Sequence, residues 1–97
     1  MTDYIQARAD DLETRTVENE LVLLDLRTQT YLSLNRTGAE LWSLMVEGAH
    51  REKLVMTLRD RYRLDATSAE RDVDALVAQL RNADLLQPEE RRATGNP

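Results

Sequence analysis

The chain has 97 residues, 41% apolar and 32% charged, with a formal charge of −5 and no cysteine. That length supports one domain with one modest core. The missing thiols exclude disulfides, thiolate nucleophiles and cysteine-based zinc sites, and the acidic balance argues against a partner rich in phosphate.

Small exported domains usually carry disulfide staples, so their absence points to a cytoplasmic protein. The start, "MTDYIQARADDLETR", has no signal-type apolar run, and no stretch is long and apolar enough to span a membrane. Aromatic residues are few, at one Trp, three Tyr and no Phe. The core must therefore come from Leu, Val, Met and Ala.

Residues 1–11 are polar apart from Tyr4 and Ile5 and read as a loose lead-in. "LETRTV" (12–17) has the β-branched content of a short strand, and "ENE" (18–20) turns the chain. In "LVLLDLR" (21–27), Val22, Leu24 and Leu26 share one face at period two, with Leu21 and Leu23 on the other. "TQT" (28–30) closes a hairpin without glycine, which favours a turn longer than two residues. "YLSL" (31–34) completes a third strand, with Leu32 and Leu34 opposite Tyr31 and Ser33.

Asn35 is a candidate helix N-cap, with Thr37 and Glu40 a rival start of capping-box type. The helix that follows carries Leu41, Trp42, Met45 and Val46 as its buried stripe and ends at Gly48. A second helix, about His50–Arg63, buries Leu54, Leu58 and Tyr62, widened by Val55 and Met56. A third, capped by Thr67 or Ser68, runs to about Asn82–Asp84 with a stripe of Ala69, Val73, Leu76, Val77 and Leu80. Leu85 and Leu86 close it, and residues 87–97 form a polar tail expected to be disordered. Three strands followed by three helices predict an α+β domain. A three-stranded antiparallel meander packs on a three-helix bundle, in a winged-helix-like arrangement, over residues 12–86.

Little in the chain suggests catalysis. His50 is the sole histidine and lacks metal-ligand companions, and Ser33 and Ser43 have no base in any motif. Asp10, Asp11 and Glu13 form a solvated charge run, and three scattered glycines make no phosphate loop. Trp42 reads as core, and Arg59, Arg61 and Arg63 as cations suited to a helix C-terminus. A DNA-binding winged helix would need a basic recognition face. The third helix instead mixes Arg71, Gln79, Arg81 and Asn82 with Glu70, Asp72, Asp74 and Asp84. The outer edge of the third strand is unusual in carrying neither charge nor proline. Either an element covers it or a peptide adds to it as a further strand.

The run "VLLDLRTQTYLSLNRTGAELWSLMVEG", followed about 25 residues later by "DVDALVAQLRNADLL", resembles the PqqD-like family of peptide-recognition elements. The match lies in Asp25 closing an aliphatic strand, Tyr31, Leu34–Asn35, Thr37–Gly38–Ala39, Trp42, Asp72–Val73 and Leu85–Leu86. It covers roughly residues 12–86 and is closest in wording to the stand-alone recognition proteins of lasso-peptide biosynthesis. Members often have glycine in the hairpin turn where this chain has Gln29.

The resemblance implies a non-enzyme without a cofactor that binds the leader segment of a ribosomally made precursor peptide. The leader lies as an extra strand between the third strand and the third helix and is presented to a separate leader peptidase, and in some cases a cyclase. Service to a radical-SAM maturase is the alternative within the family; a winged-helix regulator is the alternative outside it. The residues implied in peptide binding are Thr30, Tyr31, Leu32, Ser33 and Leu34 on the strand. On the helix they are Asp72, Val73, Leu76, Gln79, Leu80 and Ala83. The opposite helix flank, Asp74, Val77 and Arg81, stays open as the groove-facing side at this level of reading.

Overall fold

The computed structural model describes residues 4–88. In chain order the elements are β1 (Tyr4–Ile5), β2 (Leu12–Val17), β3 (Glu20–Asp25), β4 (Thr30–Leu34), α1 (Arg36–Glu47), β5 (Ala49–His50), α2 (Arg51–Tyr62) and α3 (Ala66–Asn82). β2, β3 and β4 form the antiparallel meander in that spatial order, and β1 pairs with β5 in a separate two-stranded ribbon. The α+β architecture, a three-stranded meander with three helices among the described residues, is the one the sequence pattern predicts.

Alternation along the strands decides which residues reach the helices. Leu21, Leu23 and Asp25 of β3 face inward, and Leu23 and Asp25 are buried. Val22 and Leu24 lie half-buried on the outer face. Leu26, grouped with them by period two, falls outside the strand and is half exposed. Leu32 and Leu34 share the inner face of β4, with Leu34 buried.

The inner face meets Leu41, Trp42 and Met45 of α1, Leu54, Val55 and Leu58 of α2, and Ala69, Val73 and Leu80 of α3, all buried. At about 0.8 kcal/mol per buried methylene, this cluster is the main source of stability. Val46 and Met56, expected within their helical stripes, are instead half exposed. Both sit at the rim of an apolar arc wider than the packed surface.

Local chemistry sets the helix ends. Asn35 caps α1, its side chain accepting from the Gly38 amide at 2.9 Å. Gly48 ends α1 at φ 94°, a conformation that favours glycine. α3 starts earlier than Thr67 or Ser68 would allow, because Asp65 is the cap and accepts from the Ser68 amide at 3.2 Å. Ser68 therefore lies in the first turn as the donor of the capping bond.

The segment expected to be a loose lead-in is tied down from Tyr4 onward. Ile5 and Ala7 are buried; the Ala7 amide donates to the Met45 carbonyl and the Arg8 amide to the Leu85 carbonyl, each at 2.8 Å. The Arg8 guanidinium meets Asp25 at 2.7 Å in a nearly buried ion pair. Its polarity is the polarity of a side chain with a specific partner. Leu85 and Leu86 are buried as expected, whereas the polar tail beyond residue 88 lies outside the described residues.

Candidate peptide groove

β4 occupies one side of the meander, and among the described residues it pairs only with β3. Alternate backbone groups of Thr30–Leu34 are therefore left without a strand partner on the outer edge. The hairpin that presents this edge turns through residues 26–29, since Asp25 is opposite Thr30. Gln29 takes the left-handed conformation at φ 59° and donates its amide to the Asp25 carbonyl at 2.8 Å. A glycine is thus favoured at this point of the turn on conformational grounds, and Gln29 occupies the same geometry under strain.

The Asp25 carboxylate fixes the turn from inside. It accepts from the Arg8 guanidinium and from the Arg27 amide at 3.0 Å. The bond from Arg8 is the main reason its pKa falls from 3.8 to about 2, against the opposing effect of burial. Arg8 also donates to the Asp84 carbonyl at 3.0 Å, and Arg27 pairs with the Asp84 carboxylate at 3.1 Å. The end of α3 is thereby held beside the start of β4, and the earlier turns of α3 lie toward the end of that strand.

Between them lies a groove of about 390 Å³. Ser33, Leu34, Asn35, Thr37 and Gly38 form one wall, Asp72, Ala75, Leu76 and Gln79 of α3 form the other, and Leu41 and Leu58 lie at the floor. Gly38 lets α1 start close against β4, because a Cβ there would sit 3.2 Å from the Leu34 Cβ.

The two flanks of α3 differ in what they border. Asp72, Leu76 and Gln79 line the groove, while Asp74 is turned to α2, where Arg51 grips it at 2.8 and 3.0 Å. Val73 and Leu80 are wholly buried behind the wall, and Ala83 is the exposed C-cap of α3. Ser33 and Leu34 border the groove itself. Thr30, Tyr31 and Leu32 continue the open edge beyond it, with Tyr31 72% exposed.

Sequence reading missed Asn35, Thr37, Gly38, Leu41, Leu58 and Ala75 as lining residues. Ala75 was accessible to it, one turn from Asp72 on the same flank. Leu41 and Leu58 carry no signal apart from being core.

A second concavity of about 700 Å³ lies around the β2–β3 turn, α1 and the end of α2. There Glu40 accepts from the Tyr62 hydroxyl at 2.7 Å and pairs with Arg61 at 2.5 Å, so its central charges satisfy one another. Arg61 thus joins helices rather than serving only the end of its own. His50 is exposed at the N-cap of α2, edge-on to the Tyr4 ring. Among the described residues no cluster of His, Cys, Asp and Glu has the makings of a metal site, and no helix is long and apolar enough to cross a membrane.

Comparison with known proteins follows the same lines. The solved structure described as "TbiB1 in Complex with the TbiA(beta) Leader Peptide" is similar to this chain at 33% identity and a TM-score of 0.74. The match covers 84% of this chain and 94% of that one. "Lasso peptide synthetase B1 complexed with the leader peptide" is similar at 28% identity and a TM-score of 0.76, covering 89% and 99%. No curated protein matches the chain. The family model for coenzyme PQQ synthesis protein D (PqqD) matches residues 20–86, from the first residue of β3 to the leucines that follow α3. The match takes in the hairpin, the open edge and both walls of the groove, and the chain belongs to the PqqD family.

Proposed function

We propose that this chain is a non-catalytic recognition protein for the leader segment of a ribosomally synthesised precursor peptide. The observation that carries this is the β4 edge, unpaired among the described residues, beside the leucine-floored groove against α3. An extended leader adds as a fourth strand, its backbone satisfying the outward groups of Thr30–Leu34. Side chains on one face of that strand enter the groove. Backbone pairing supplies affinity nearly independent of sequence, and the groove supplies selection. Ordering of the leader offsets part of the gain, so affinity is moderate for the contact area. The two solved relatives, each in complex with a leader peptide, support the reading.

In this reading the protein acts in the cytoplasm and hands the bound leader to a separate leader peptidase. The family description, coenzyme PQQ synthesis, favours a second reading in which the recipient is a cofactor-maturation enzyme. Both readings use the same groove.

The test is titration of isotope-labelled protein with the leader region of the precursor peptide encoded beside its gene. Slowed amide exchange at alternate positions of Thr30–Leu34, with shifts along the Asp72–Gln79 flank, is expected. Binding that leaves those amides unprotected refutes strand addition.

A further inference from the structure

Asp72 is the one charged side chain among the groove's lining residues. Three other carboxylates around α3 are committed: Asp65 caps the helix, Asp74 holds Arg51, and Asp84 holds Arg27, while Glu70 lies outside the groove. Asp72, by contrast, is exposed and makes no hydrogen bond or ion pair within the described chain. Beside it the groove offers apolar contact from Leu34, Leu41, Leu58 and Leu76, set among the neutral polar side chains of Ser33, Asn35, Thr37 and Gln79.

We propose that Asp72 makes the groove selective for a peptide carrying Lys or Arg two residues from the apolar side chain that fills it. This rests on the reading of the groove as a peptide site.

The argument is one of desolvation and spacing. A strand laid along β4 takes water away from Asp72, and a carboxylate that loses water without a partner is penalised. A cation opposite it removes that penalty, whereas an acidic residue adds repulsion. Asp72 and Leu76 are one helical turn apart, about 6 Å of rise. Same-face residues of an extended strand are about 6.6–6.8 Å apart. A side chain seated on Leu76 therefore puts its neighbour at i±2 level with Asp72. The chain's charge of −5 favours a cationic peptide at long range as well, but salt screens that component first.

The experiment is a display selection of short random peptides on the wild-type protein and on Asp72→Asn, Asp72→Lys and Ala75→Arg variants. Asp72 and Ala75 are exposed, and thermal melts confirm that each variant folds. Ala75→Arg blocks the groove, so peptides it retains are bound elsewhere and are set aside. The expected result on wild type is an apolar residue with Lys or Arg two positions away. Asp72→Lys replaces that preference with Asp or Glu, and Asp72→Asn weakens the basic peptides by about fivefold. Groove-dependent peptides with no basic preference, or with the same preference on Asp72→Lys, overturn the proposal and leave peptide recognition standing. No groove-dependent peptide at all strikes the recognition function itself.

Discussion

Replacing Gln29 by glycine stabilises the protein. Gln29 is held at φ 59°, and its exposed side chain makes no hydrogen bond or ion pair within the described chain. The left-handed conformation costs a residue with a Cβ about 1–2 kcal/mol. Glycine gives back about 0.5–1 kcal/mol through the greater freedom of its unfolded chain. The difference leaves a net gain of about 0.5 kcal/mol, which raises Tm by about 2–4 °C in a domain of this size. The amide of residue 29 still donates to the Asp25 carbonyl, so the turn's own hydrogen bond is unchanged. Thermal melts followed by circular dichroism resolve a shift of this size. Gln29→Ala keeps both the Cβ and the strain, and its Tm stays within about 1 °C of wild type. The reasoning is refuted if glycine lowers Tm, or if alanine raises it as much as glycine does.

Acid unfolding reads out the Arg8–Asp25 pair. The Asp25 pKa lies at about 2 in the folded protein, below its ordinary value of 3.8. A depressed folded value means that the carboxylate's contribution is fully present above the unfolded pKa and is lost as pH falls through about 2. Asp65 and Asp74, lowered mainly by their bonds to Ser68 and Arg51, act in the same direction. Urea midpoints measured from about pH 5 down to about pH 2 therefore fall less steeply for Asp25→Asn than for wild type, and equal slopes refute the pairing. Leu58 is wholly buried beneath the groove, so Leu58→Ala costs about 2–5 kcal/mol in urea unfolding; a loss below about 1 kcal/mol contradicts the packing described. Gly48→Ala forces a Cβ into φ 94° and against the Tyr4 hydroxyl, costing about 1–3 kcal/mol from the backbone alone. Adding Tyr4→Ala removes the clash and not the strain, so full recovery in the double variant refutes the backbone explanation.

Where sequence reading succeeded and failed follows from the range of the interactions involved. Asn35 and Gly48 act on their own helix ends, so both caps were legible from neighbours a few residues away. At the start of α3 three residues compete for the same role, and short-range rules do not rank Asp65 against Thr67 and Ser68. In β3 both faces are apolar, and period two cannot say which faces in. The inner face ends in a carboxylate, Asp25, which is buried because Arg8 arrives from a distant part of the chain. The same partner explains the misread lead-in. Ile5 and Ala7 alternate with Gln6 and Arg8, a two-residue period visible in the sequence but too short to outweigh the surrounding charge. The open edge of β4 was legible from its lack of charge and proline. The choice of groove-facing flank on α3 was not, because it depends on Arg51 of α2 claiming Asp74.

Those long-range contacts also explain why the groove exists before any peptide arrives. At one end, Arg8 links Asp25, the Asp84 carbonyl and the carbonyl of Asp10, so the hairpin turn and the end of α3 share one anchor. At the other end, β4 runs directly into α1 through the Asn35 cap, and Gly38 brings the helix against Leu34. Both ends of β4 are fixed relative to the helices, while its outer edge between them bonds to nothing among the described residues. A docking strand then meets a preset width and pays mainly for its own ordering. Loosening Arg8 acts on peptide binding through that width, although Arg8 is not among the residues lining the groove. A weaker peptide affinity in Arg8→Met, with the Asp72-side wall intact and the protein folded, is the signature of positioning rather than contact. Unchanged affinity in that variant means that the strand and α3 hold their spacing without the anchor.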